Sequence, residues 1–131
     1  VTEMFFEEVM TEQLNTIPDI LDKIYPLNAE EGIEAPYIVY LQAGGNEYKS
    51  FDGYSGLKKV LFEFNILHNS YTEMKYLTKT VVDKIIDLEE TVINGLEIQG
   101  ITLEEPVELF EKEIELYRSI ITIRATYIER I

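Results

Sequence analysis

LKKVLFEFNILH, residues Leu57 to His68, sets Val60, Phe62, Phe64 and Ile66 at every second position, with Lys59, Leu61, Glu63, Asn65 and Leu67 between them. A period of two sends these two sets to opposite faces of a strand, so the stretch reads as a strand with one buried side. Directly after it, Ser70 and Glu73 form a capping box, and Met74, Leu77, Val81, Ile85 and Leu88 then step by three and four. That spacing predicts a helix of about five turns. Val82 and Ile86 widen its apolar stripe enough for it to lie flat on a sheet.

Upstream, Ala35-Pro36 leads into Tyr37-Ile38-Val39-Tyr40-Leu41, an aromatic and β-branched run that reads as a strand entered through a proline. From Gln42 to Gly56, four glycines mix with Asn46, Lys49, Ser50 and Asp52, which predicts a long loop or loose hairpin. Loops of that length in small domains are usually functional or disordered. Nearer the start, Phe5, Phe6, Val9, Met10, Leu14 and Ile17 recur at helical spacing, with Glu7, Glu8 and Glu12 between them. Pro18 to Ile24 reads as a short second helix capped by Thr16 and stopped at Tyr25-Pro26.

Downstream, Asn94-Gly95 is a turn signal, and Leu96, Ile98, Ile101 and Leu103 supply a strand that bulges near Gly100. Glu104 to Glu115 interleaves six glutamates with apolar residues and reads as strand or irregular chain. Ile121, Ile123, Ala125 and Tyr127 alternate with Thr122, Arg124 and Thr126 as a closing strand. The order helix, helix, strand, loop, strand, helix, strand, strand predicts one α+β domain over residues 1–131. Its sheet is expected to be antiparallel with about four strands and its helices packed on one side.

The 131 residues, 46% hydrophobic, suffice for a single core without disulfides. With 25 acidic and 11 basic residues the formal charge is -14, which argues against a protein that neutralises DNA phosphates. The charge is uneven: residues 1–34 carry net -8, residues 35–88 are neutral, and residues 89–131 carry net -6. The first fifteen residues contain no Lys or Arg, so no export signal is expected there. The longest apolar runs are about five residues against the ~20 of a membrane helix, and no membrane association is expected.

Catalytic patterns fail on their own requirements. Gly53-Tyr54-Ser55-Gly56 lacks the second glycine of a nucleophile elbow, since Leu57 stands there. Gly44-Gly45 is not followed by the Gly-Lys-Ser/Thr of a phosphate loop. Cysteine is absent and His68 is the sole histidine, so a histidine-based zinc site cannot form within one chain. The adjacent pairs Glu7-Glu8, Glu30-Glu31, Glu89-Glu90 and Glu104-Glu105 point in different directions on any regular element, which fits a solvated surface better than a metal site. Neither enzyme activity nor a cofactor or metal is expected. Tyrosine is enriched in interfaces, and Tyr48, Phe51 and Tyr54 in the glycine-rich segment make a candidate docking arm, unless these rings cap the core instead.

Tyr25-Pro26, Ala35-Pro36-Tyr37-Ile38-Val39-Tyr40, the polar segment to Asp52-Gly53, the strand to Phe64 and Ser70-Tyr71-x-Glu73-Met74 together resemble the tail completion, or tail terminator, proteins of long-tailed bacteriophages. The resemblance runs from about residue 5 to 90, and the strand ending at Tyr127 fits the family's last strand; 104–115 has no counterpart. It implies a structural protein without a cofactor, a homo-hexameric ring on the head-proximal end of the tail tube. Its partners would be the tail tube protein and the head–tail connector, and its place the tail or neck of the virion, with the host cytoplasm during assembly. It also implies that Tyr48, Phe51 and Tyr54 contact the neighbouring subunit or the tube.

DNA would pass through such a ring without specific binding, and a lumen lined with glutamate would repel phosphate. Glu30, Glu31, Glu34, Glu104, Glu105 and Glu108 are the candidate lumen acids. Three readings compete with the tube cap: another neck or minor tail component, an acidic DNA-mimic inhibitor, and a carboxylate-dependent hydrolase.

Overall fold

The computed structural model describes residues 6–29, 32–50, 53–93 and 95–129, with backbone only for 45–50, 53–56 and 129. In chain order the elements are helix α1 (Phe6–Leu14), a single 3-10 turn (Pro18–Ile20), strands β1 (Ile24–Pro26), β2 (Tyr37–Ser50) and β3 (Gly53–His68), helix α2 (Tyr71–Ile86), and strands β4 (Thr91–Ile93), β5 (Leu96–Leu103), β6 (Val107–Glu111) and β7 (Leu116–Glu129). The seven strands form one sheet in the order β1-β2-β3-β7-β5-β4, with β6 on β7 below β5. β1 joins β2 in parallel and every other pairing is antiparallel.

This corrects the expected α+β domain with a four-stranded antiparallel sheet and helices on one side. The molecule is mostly β: a mixed seven-stranded sheet curled into a half-barrel, with only two α-helices among the described residues. The physical reasons lie in pairing. Residues 42–50 of the glycine-rich segment lie on the extended backbone of β3, because Gly44, Gly45, Asn46 and Glu47 pair with Leu61, Val60, Lys59 and Lys58. Its irregular composition is absorbed in two register shifts, Gln42/Gly44 and Glu47/Lys49. Ile24–Pro26, expected as a helix end, pairs with Ile38–Tyr40, and Pro26 is tolerated because the strand is at the sheet edge. The second helix shrinks to one 3-10 turn entered from Ile17 without a side-chain cap; the Thr16 hydroxyl instead donates to the Gln13 carbonyl at 2.7 Å.

The central strand keeps its expected faces. Val60, Phe62, Phe64 and Ile66 lie opposite Ala125, Ile123, Ile121 and Ser119 of β7, all buried on the inner side of the curl. Against this surface α2 presents Leu77, Val81 and Ile85, and α1 presents Phe6, Val9, Met10 and Leu14. Phe6 stacks on Tyr127 with ring centroids 4.8 Å apart and sits 5.6 Å from Phe62. Each large apolar side chain buried this way contributes about 1.5–3 kcal/mol.

Ser70 caps α2 as expected, its hydroxyl oxygen accepting from the Glu73 N–H at 3.3 Å. The His68 Nδ1 accepts from the Ser70 N–H at 3.2 Å, so the lone histidine braces the strand-to-helix corner. β5 shifts register between Ile98 and Gly100, the bulge expected there.

Candidate functional site

The glutamate-rich segment 104–115, expected as strand or irregular chain, contains strand β6, whose second side pairs with no other strand among the described residues. Glu104-Glu105-Pro106 leads in from β5, and the Glu104 N–H donates to the Thr122 carbonyl at 3.1 Å, fixing the entry. Val107 to Glu111 then pair with Ile120 to Leu116 without a register shift. Alternation places Val107 and Leu109 on the outer face beside Ile120 and Arg118, and Glu108 and Phe110 on the inner face beside Ser119 and Tyr117. Val107, Leu109 and Phe110 are 54%, 46% and 52% exposed, so apolar surface stands open on both faces. Ile114 in the following turn is likewise half exposed.

Two polar clusters hold β6 to the body. On the inner side Glu108 accepts from the Tyr71 hydroxyl at 2.9 Å and pairs with the Lys75 ammonium at 3.1 Å, both from the first turns of α2. The Lys75 ammonium, and less strongly the Tyr71 hydroxyl, hold the Glu108 carboxyl below its ordinary pKa. Glu108 and Tyr71 in turn raise that of Lys75. Rings of Tyr71, Tyr117 and Phe110 pack in sequence beside this clamp, 5.7 and 4.9 Å apart.

On the outer side Arg118 reaches Glu111 at 2.7 Å through Nε and donates from Nη1 to the Asn65 Oδ1 at 2.9 Å, while the Asn65 amide donates to Glu63 at 3.1 Å. Asn65 is buried, so this pairing removes a desolvation cost of about 1–3 kcal/mol.

The other expected site residues fall apart in space. Tyr48 on β2 and Tyr54 on β3 belong to the far end of the β2–β3 hairpin, which runs past Leu57, the last β3 residue paired with β7. Their side chains lie outside the described residues, and Phe51 does so entirely. Glu30 and Glu31 also lie outside the described residues, while Glu34 is exposed and its carbonyl accepts from the Lys23 ammonium at 3.4 Å.

Glu34, the described acid of the first segment, precedes β2 on the side of edge strand β1, whereas 104–115 surrounds β6 on the other side of β7 from β3. Glu104 lies 3.9 Å from Arg124 and Glu108 pairs with Lys75, leaving Glu105 the one exposed acid of that trio without an ion pair among the described residues. No group of three His, Asp or Glu side chains converges as a metal site among the described residues, and no described helix is long and apolar enough to cross a membrane.

The exposed Val107, Leu109 and Phe110 were missed as site residues. Their signal was present in Val-Glu-Leu-Phe-Glu after a proline, a short apolar and acidic mixture of strand length.

No protein-family model and no curated protein matches this chain. Among solved structures, it is similar to a chain in the structure titled "Virion of native gene transfer agent (GTA) particle", with a TM-score of 0.67 and 11% identity over 91% of both chains. At that identity the likeness shows a shared fold.

Proposed function

We propose that this chain is a structural component of a phage-like virion, placed in the tail, where it caps the head-proximal end of the tail tube and joins tail to head. The observation that carries the reading is the shared fold with a chain of a gene transfer agent virion, which covers nearly the whole of both chains. The sequence resemblance to tail completion proteins points to the same part of such a particle. In this reading the protein performs no chemistry. It acts as a homo-hexameric ring, meets the tail tube protein on one side and the head–tail connector on the other, and lets DNA pass.

The β2–β3 hairpin supports a tube-contacting or subunit-contacting arm, because its strands continue beyond the shelter of β7. Of the candidate acids described, Glu34 and Glu105 fit a phosphate-repelling lumen, since neither carboxylate is ion-paired among the described residues. Mixing the protein with polymerising tail tube subunits tests the reading. Growth should stop, with the protein at one tube end in electron micrographs; unchanged tube growth overturns it. Binding to the connector without any effect on tube length would instead establish a neck component.

A further inference from the structure

We propose that the free edge of β6 is a docking edge for an extended, basic segment of another protein, which adds to the sheet as a further strand. β6 is hydrogen-bonded to β7 on one side, and no other strand covers its second side among the described residues. A strand in that position presents a row of open backbone N–H and C=O groups, the template that strand addition uses. Exposed Val107 and Leu109 on one face and Phe110 on the other give an incoming strand apolar neighbours for both of its own faces.

The remaining edges are less suited to this. β1 and β4 have three residues each, and β1 ends in Pro26. β5 beyond its β4 partner is closed by the Glu89 carboxylate, which accepts from the Ile101 N–H at 3.3 Å. The distal part of β2 is broken by two register shifts, which twist an edge away from regular pairing. β6 itself carries no bulge, no internal proline and no lysine, three of the devices that blunt an edge, and its one inner-face charge, Glu108, is taken up by Tyr71 and Lys75. The Tyr71–Glu108–Lys75 clamp and the Arg118–Glu111 pair also hold it in place before any partner arrives.

Charge selects the occupant. Residues 104–115 hold six glutamates and one lysine; Glu104, Glu108 and Glu111 lie beside Arg124, Lys75 and Arg118, and exposed Glu105, Glu113 and Glu115 keep the rim acidic. Pairing β6 with β6 of a second copy would bring like charges face to face, and each copy carries a formal charge of -14. A segment that alternates apolar residues with Lys or Arg fits both the acidic rim and the apolar faces. This inference stands apart from the tube-end reading, since it concerns only the chemistry of what β6 binds.

The test uses the full chain and an eight-residue peptide of alternating Val and Lys, followed by amide hydrogen exchange. The expected result is slowed exchange concentrated at 107–111, absent with a Val-Glu peptide and with a Val-Lys peptide interrupted by proline, which keeps the charge but cannot pair. Replacing both Glu104→Gln and Glu105→Gln should weaken binding, and Leu109→Lys should weaken it by about tenfold or more. Protection at β1, β4 or the β2–β3 hairpin in place of β6, or equal binding of the proline-interrupted peptide, overturns the proposal. So does protection of 107–111 that rises with concentration of the protein alone, which would make a second copy the occupant.

Discussion

The two halves of β7 lie in different surroundings. From Ile121 to Tyr127 its inner side chains are sealed between β3, β5 and the two helices, with Ile121 and Ile123 fully buried. From Leu116 to Ile120 it still has β3 on one side, through the pairs Asn65–Ile120 to His68–Tyr117, but β6 takes the place of β5 on the other, and Val107, Leu109 and Phe110 of β6 remain half exposed. One continuous strand thus serves a finished core at one end and an open edge at the other. The core half is closed by this chain's own helices, so its residues report on stability; the edge half is held by polar clamps, so its residues report on what else can bind.

Truncation in the core half gives the largest expected effect. Phe64→Ala removes a fully buried ring between Tyr40, Phe62 and Ile121 and should cost ~3–5 kcal/mol in denaturant unfolding. A loss below ~1 kcal/mol would mean the sealed half is not the core. Next comes the outer network: Arg118→Ala strands the buried Asn65 carbonyl and should cost ~1–3 kcal/mol. Combining it with Asn65→Leu, which removes the stranded group, should recover much of that loss. Failure to recover would break the claim that pairing, and not packing of the arginine stem, is what matters there.

The inner clamp should behave locally. Tyr71→Phe with Lys75→Met leaves Glu108 without either partner, and amide exchange at 107–111 should quicken while the melting temperature changes little. The same clamp carries a pH dependence. The Glu108 pKa is lowered in the folded chain, so its contribution is present above its ordinary value of 4.5 and fades as pH falls below that value. Exchange at β6 should therefore quicken on acidification in the natural protein and less so in the double variant. At the other extreme, burial first, then Glu7 and Glu8, raise the Tyr40 pKa above 10.0; that contribution is present below pH 10 and is lost as pH rises further.

The smallest expected effect is in the turn between β6 and β7. Glu115 adopts a φ of 54°, a conformation that suits glycine. Glu115→Gly should leave the fold intact and raise stability by ~0.5–1 kcal/mol, checked by the denaturation midpoint. A destabilised protein would show that the Glu115 side chain holds the turn.

Strong periodicity made part of this architecture legible. The alternation in Leu57–His68, the Ser70 cap and the strand around Ile121–Tyr127 each encode their element locally, and the structure contains all three, although the Ser70 N–H donates to His68 and not to the Glu73 side chain that a full capping box would use. What was not legible depended on partners distant in sequence. Ile24–Pro26 becomes a strand because β2 passes beside it, and the glycine-rich 42–50 segment is extended because β3 templates it. The strand count failed at β1 for that reason; it also missed β4, only three residues long and paired with the adjacent β5, and β6, and with the count the fold class failed. At the edge, the glutamates of 104–115 were readable as charge, but the cations beside Glu104 and Glu108 come from Arg124 and Lys75, on other elements. Asn65 looked like an outward polar residue, and only the approach of Arg118 from β7 makes it part of a buried network.

The most direct test of the proposed role is the length of tails assembled in cells with and without this protein, measured by electron microscopy. The account expects tails of defined length attached to heads when the protein is present, and overlong tubes without heads when it is absent. Tails of normal length joined to heads in its absence would contradict it.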